Sequence, residues 1–176
     1  MADAPEKKII IGVDDSGESL YSLEWTLDHL IIPMKGTTTE PSRFKVILFH
    51  VKPPATHVLR LAGPEIWSPP LVAGAADVLT RVESDIKRMA TSVAKMVTDI
   101  CERRSFKDFE VETAEGDARD LLCKAVERHK AEMLVLGSHG YGAFKRVILG
   151  SVSDYCAHHA HCSVLIVKKP KSSTAH

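Results

Sequence analysis

Residues 133–151 read Met133-Leu-Val-Leu-Gly137-Ser-His-Gly140-Tyr-Gly-Ala-Phe-Lys-Arg-Val-Ile-Leu-Gly150-Ser151. The apolar run Met133 to Leu136 has the length and content of a strand buried on both faces. Gly137 ends it, and Gly140 follows three residues later. Gly150 comes ten residues after that, with a hydroxyl residue behind it and a helix-like stretch, Val152 to His158, beyond. Glycine permits tight bends and close approach of backbone to a ligand. Successive amides in such a turn make a concave cradle for anions, and a helix N-terminus adds unpaired N–H groups. A strand, a glycine loop and a helix start therefore predict an α/β fold with a phosphate site at a strand end. The bland alternative is a surface loop whose glycines only serve turns.

Three better-known motifs are excluded by spacing. Gly137 to Gly142 has the glycines of a P-loop, but Ala143-Phe144 stands where Lys-Ser/Thr is required. Lys145 breaks the dinucleotide fingerprint begun by Gly140-Tyr-Gly142. Ser138 sits one place too early for a nucleophile elbow.

Working outward, strand-like and helix-like stretches alternate five times. Ile9 to Asp14, Lys45 to Val51, Phe109 to Thr113, Met133 to Leu136 and Ser163 to Val167 read as strands. Leu20, Leu23, Leu27 and Leu30 recur at helical spacing, with Ser19 as a candidate cap. From Ala76 onward Val82, Ile86, Met89, Val93, Met96 and Ile100 form one stripe of a long amphipathic helix. Asp117 caps a helix carrying Leu121, Leu122, Ala125 and Val126. Pro33 to Arg43 and Pro53 to Gly74 read as loops, the second long enough to fold over a ligand. Strands separated by helices pair in parallel through right-handed crossovers, giving a three-layer α/β/α sandwich. Ligands bind such sheets where the winding direction reverses. If strands one and four are neighbours there, Val13-Asp14-Asp15-Ser16 faces the glycine loop across a crevice.

The chain has 176 residues, which suits one domain: 7–168, with polar ends at 1–6 and 169–176. Lys+Arg and Asp+Glu balance at 23 each, so no global field favours nucleic acid or an anionic membrane. No apolar run is long enough for a membrane helix, and the first residues lack a signal-peptide core. The four cysteines form no Cys-x-x-Cys pair and read as reduced thiols of a cytoplasmic protein. His158, His159, His161 and Cys162 cluster in sequence, but polar groups also belong at a helix C-terminus, and no metal site is assigned.

With these residues in register, the chain resembles the universal stress protein family (UspA-like domain), in its ATP-binding branch and plant type. The family signature Gly-x2-Gly-x9-Gly-Ser/Thr is matched by Gly137, Gly140, Gly150 and Ser151. Val13-Asp14-Asp15-Ser16, His50-Val51, Gly116-Asp117 and Cys162-Ser163-Val164 follow in the family's order, Ser163 replacing a usual proline. The resemblance implies a Rossmann-like, adenine nucleotide alpha hydrolase-like five-stranded parallel sheet of order 3-2-1-4-5. It also implies ATP or AMP in the crevice, with magnesium arriving on the phosphates. Carried over, Val13 and Asp14 line the ribose and adenine side, with Asp15 and Ser16 beside them. Val51 meets the adenine edge, and Leu136 and Gly137 form the floor. Ser138, His139, Gly140 and Gly142 lie on the phosphate turn, and Gly150, Ser151, Val152 and Ser153 hold phosphates at the helix start. A homodimer through the last strand, Val164 to Val167, is a further family expectation. The set shows a phosphate grip without an evident catalytic base, activated nucleophile or dedicated metal cage. The function implied is a nucleotide-dependent regulatory or sensor module, with slow ATP hydrolysis, nucleotidyl transfer or a chaperone-like scaffold as alternatives.

Overall fold

The computed structural model describes residues 7–35, 44–61, 75–139 and 149–170. In chain order the elements are β1 (Lys7–Val13), α1 (Gly17–Thr26), a π-helical turn (Leu27–Ile31), α2 (Ile32–Lys35), β2 (Phe44–Lys52), α3 (Ala55–Leu61) and α4 (Ala75–Arg103). Then follow β3 (Phe109–Glu115), α5 (Ala118–His129), β4 (Met133–Gly137), α6 (Ser151–His159) and β5 (Ser163–Val167). The five strands form one sheet of order β3-β2-β1-β4-β5. Every pairing is parallel, with Ile10 opposite both Ile47 and Leu134. The expected order and pairing are therefore those observed.

The central strands are apolar because both faces are covered. Ile9, Ile11, Val46, Leu48 and Val135 enter one core layer with Leu23, Leu27, Val93 and Val97 from α1, the π turn and α4. Ile10, Ile47, Phe49, Leu134 and Leu136 enter the other, with Leu122, Val126 and Cys156 from α5 and α6. The edge strand β3 alternates half-buried and exposed residues. Its carboxylates pair with lysines of β2, Glu110 with Lys45 at 2.6 Å and Glu115 with Lys52 at 2.7 Å. Charged side chains along an edge strand blunt a free edge.

Several boundaries differ from the sequence reading. The cap of α1 is Ser16, not Ser19: the Ser16 side chain accepts from the Ser19 amide. Ser19 lies inside the first turn, buried, with its hydroxyl accepting from the Asp14 amide at 2.8 Å. The stretch from Pro33 is not wholly loop, since α2 continues to Lys35. Proline cannot donate to the carbonyl four residues back. Here the chain passes through the wider π turn, in which Ile32 N–H reaches back to Leu27. The stretch from Pro53 also begins with a helix, α3, in which the Pro54 carbonyl accepts from the His57 and Val58 amides.

The long helix α4 has 29 residues, about 44 Å at 1.5 Å per residue. That is longer than the sheet, so only its second half is fully covered. Ala90, Val93, Val97, Ile100 and Cys101 are buried, whereas Met89, expected in the same stripe, is 52% exposed. Val82 and Ile86 are half-buried on the overhanging half, against which α3 packs.

Candidate functional site

The winding direction reverses between β1 and β4. From β1 the chain leaves to α1 on one face; the helix before β5, α6, lies on the other. The C-terminal ends of these two strands frame the crevice. Val13 and Leu136, the last large side chains on them, are each 5% exposed and belong to opposite core layers.

The β1 exit is tightly folded. Asp14 Oδ1 accepts from both the amide (2.9 Å) and the hydroxyl of Ser16, an Asx turn that starts α1. Asp15 is exposed and Ser16 half-buried. The Val13 carbonyl is met at 2.9 Å by Nδ1 of His50, a buried histidine on the neighbouring strand. With a carbonyl as partner, Nδ1 carries the proton and donates it. Val51, next on β2, is half-buried.

The β4 exit is closer still. A Cβ at Gly137 would lie 3.0 Å from the Glu18 carbonyl carbon and oxygen and 3.1 Å from the Ser19 amide. The missing side chain thus lets α1 backbone press on the strand end. Ser138 is 3% exposed and joined on several sides. Its amide donates to Val167 O at 3.0 Å, and its carbonyl accepts from Gly150 N at 2.8 Å and from the Ser153 hydroxyl at 3.1 Å. Its hydroxyl donates to Glu18 at 3.3 Å and lies 3.0 Å from His139 Nδ1. Glu18 also accepts from the Lys169 amide at 3.1 Å, so one carboxylate fastens α1 to the exits of β4 and β5. Gly140 and Gly142 lie outside the described residues.

These contacts bring Gly150 back against the β4 exit, where a Cβ would lie 3.3 Å from His139 Cα. Gly150 is the N-cap of α6, in an extended conformation, and makes no side-chain capping bond. The first-turn amides, those of Ser151, Val152 and Ser153, have no intrahelical acceptor. Ser151 is exposed, Val152 half-buried and Ser153 buried. The Ser153 hydroxyl is spent on the Gly150 and Ser138 carbonyls, so at that position the amide is the available donor. By contrast α1 is capped by Ser16 and α5 by Asp117, whose carboxylate accepts from the Arg119 amide. The Arg119 guanidinium, hydrogen-bonded to Asp117, holds that carboxyl below the usual carboxylate range.

Sequence reasoning missed His50 and Glu18. A histidine inside the apolar run Val46-Ile-Leu-Phe-His-Val51 was the available signal for the first. For the second there was none, because its partners lie 120 and 151 residues away. Among the described residues no group of three or more His, Cys, Asp or Glu is arranged to hold a metal ion, and no helix is long and apolar enough to cross a membrane. A separate groove of about 430 Å³ runs between α1 and α4, past Tyr21, Glu24, Met96, Asp99 and Arg103.

The sequence profile of the universal stress protein family matches residues 6–168. The chain belongs to the universal stress protein family. Universal stress protein PHOS34 of Arabidopsis thaliana is 32% identical over 173 residues, covering 93% of this chain and 62% of the relative. Universal stress protein PHOS32 of the same plant is 32% identical over 172 residues, covering 93% and 65%. The chain thus spans less than two thirds of the length of these relatives. Among solved structures, an Arabidopsis thaliana universal stress protein family protein with AMP bound superposes with a TM-score of 0.59 at 22% identity, over 96% of each chain. A universal stress protein in complex with cAMP gives 0.58 at 19%, over 94% of this chain and 98% of the other. At these identities the likeness is one of fold.

Proposed function

We propose that this chain is an adenine-nucleotide binding module, taking ATP or AMP at the β1/β4 crevice and acting as a nucleotide-dependent sensor or regulator in stress. The observation that carries the reading is the start of α6. Unlike the starts of α1 and α5, it is closed by no side-chain bond. It stands behind a complete Gly-x2-Gly-x9-Gly-Ser signature. Open amides suit phosphate oxygens, and a glycine cap leaves them reachable. Two relatives of the same fold hold AMP and cAMP.

In this reading the phosphates meet the amides of Ser151, Val152 and Ser153, with Ser138 and Gly137 shaping the turn from beneath. The β1 exit, Val13 to Ser16, and Val51 face the nucleoside, while His139, Gly140 and Gly142 belong to the phosphate turn. Amides and hydroxyls grip any phosphate and do not count them, so ATP and AMP share the same donors. Magnesium would travel with the nucleotide, held by phosphates and water. We also propose a cytoplasmic homodimer through β5. Among the described residues this strand is paired on its β4 side alone, and it carries half-buried Val164, Leu165 and Ile166.

The test is to denature protein purified without added nucleotide, identify what is released, and titrate the emptied protein with ATP, AMP and GTP by calorimetry. An adenine nucleotide released, and saturable binding of ATP or AMP in preference to GTP, is the expected result. An empty protein giving no heat with any of the three would end the proposal and favour the scaffold alternative.

A further inference from the structure

Glu18 belongs to the first turn of α1, yet its carboxylate reaches the exits of two other strands. One oxygen, Oε2, accepts from the Ser138 hydroxyl at 3.3 Å and from the Lys169 amide at 3.1 Å. The Glu18 backbone lies against the same turn, since a Cβ at Gly137 would sit 3.0 Å from its carbonyl carbon and oxygen. Ser138 carries the connection onward. Its carbonyl accepts from the Gly150 amide at 2.8 Å and from the Ser153 hydroxyl at 3.1 Å, which holds the first turn of α6 in place. Its hydroxyl also lies 3.0 Å from His139 Nδ1. A serine hydroxyl has one proton to give, and a carboxylate only accepts. The proton therefore goes to Glu18, and toward His139 the hydroxyl oxygen is the acceptor. Nδ1 of His139 then carries the ring proton, so the bonds run one way, from imidazole to hydroxyl to carboxylate.

We propose that Glu18 is a positioning residue of the nucleotide site, an assignment that rests on the nucleotide reading above. It acts through Ser138. By fixing the direction of that hydroxyl it sets the Ser138 carbonyl under the α6 start and the tautomer of His139 on the phosphate turn. The carboxylate is a brace and not a ligand: its near oxygen is occupied by two donors, and a carboxylate facing a phosphate would repel it. Both donors share one oxygen, so an amide oxygen can take its place. Glutamine therefore keeps the brace without the charge, and alanine removes it. The phosphate side of the ligand is the side that feels the change, because the nucleoside side is framed by Val13 to Ser16 and Val51. A brace that served stability alone would not distinguish a nucleotide from its nucleoside.

The experiment titrates the whole protein by calorimetry with AMP and with adenosine, which lacks the phosphate. It compares the wild type with Glu18→Ala, Glu18→Gln, Ser138→Ala and the Glu18→Ala/Ser138→Ala double variant. Nitrogen-15 spectra of the histidine rings in mildly alkaline buffer, with His139 assigned by its loss in His139→Gln, read the tautomer. Glu18→Ala should weaken AMP about tenfold, the worth of one hydrogen bond to a charged group, and leave adenosine within about twofold. Glu18→Gln should stay within about threefold of the wild type for both ligands. Ser138→Ala should match Glu18→Ala, and the double variant should lose no more, because the two side chains act as one unit. The His139 proton should sit on Nδ1 in the wild type and leave it in Glu18→Ala. Unchanged AMP affinity in Glu18→Ala, equal losses for AMP and adenosine, a glutamine variant as weak as alanine, additive losses in the double variant or an unaltered His139 tautomer would each overturn the assignment while the nucleotide reading stands. A wild type that binds neither ligand would overturn the nucleotide reading, and this assignment with it.

Discussion

Two helices begin beside the same strand ends, and they begin differently. At α1 the polar side chains are tied to one another and to the neighbouring strand exits: Asp14 folds onto Ser16, Ser16 caps the helix, Ser19 holds the Asp14 amide and Glu18 bonds to Ser138 and Lys169. At α6 the cap is a glycine without a side-chain bond. The difference separates two uses of one motif chemistry. Caps of Ser, Thr, Asp or Asn stabilise the helix that carries them. A glycine cap gives up that stabilisation and leaves first-turn amides for something else. The β1 exit is therefore closed on itself, whereas the α6 start leaves its amides for the ligand proposed above.

The largest effect should come where the two regions touch. Gly137→Ala would push a methyl against the Glu18 and Ser19 backbone at about 3.0 Å, atoms that cannot swing aside. Overpacking of this kind costs typically 1–3 kcal/mol, and a value of about 3 kcal/mol is expected in urea unfolding. A cost near zero would mean that α1 does not press on β4, and the contrast would lose its foundation.

Next is Gly150→Asp. Its φ of −72° is open to any residue, and the contacts a Cβ would meet, 3.3 Å to His139 Cα and 3.4 Å to Ser138 O, need a shift of a few tenths of an ångström. The new carboxylate would cap α6 and repel phosphate. Nucleotide affinity should fall at least about tenfold, or about 1.4 kcal/mol, while stability stays within about 1 kcal/mol of the wild type. Calorimetric titration beside urea unfolding reads both. Unchanged affinity would show that the open helix start is not where phosphate sits.

The reciprocal change is Ser16→Ala. Removing this cap should cost about 1 kcal/mol of stability and leave affinity within about threefold. A larger loss of affinity than of stability would move the β1 exit from scaffold to ligand contact, sharpening the roles carried over to Asp14 and Ser16.

The fold and the site were legible to different depths. Buried strands such as Ile9-Ile-Ile11 and Leu134-Val-Leu136 announce a sheet covered on both faces, and the glycine spacing points to the strand end at which the site is proposed. Which serine caps α1 was not legible, because Ser16 and Ser19 are both cap-forming and only the path of the chain leaving β1 chooses between them. The role of Gly137 was hidden for a similar reason. Its neighbour is α1 backbone, more than a hundred residues earlier, and no local pattern records that distance. Met89 fitted its stripe by periodicity, yet periodicity does not say where a helix outruns the sheet beneath it.

The smallest effect lies beyond the first turns of α1 and acts as a control on the comparison. In the π turn Asp28 accepts from Arg104 Nε at 2.7 Å and Nη2 at 3.0 Å. The hydrogen-bonded guanidinium holds the Asp28 carboxyl below its usual range. A depressed carboxylate contributes stability above its unfolded value, near 4, and loses that contribution as pH falls through the folded value. Asp28→Asn should therefore cost stability at pH 7, and wild type and variant should converge in acid. The pair is largely exposed, so screening limits the difference to about 0.5 kcal/mol. Urea unfolding of both proteins across the acid range measures it. Nucleotide affinity should not move, because the pair lies away from both strand exits. If it did move, α1 would be transmitting strain along its length, and the closed start around Ser16 and Gly137 would have to be treated as part of the binding equilibrium.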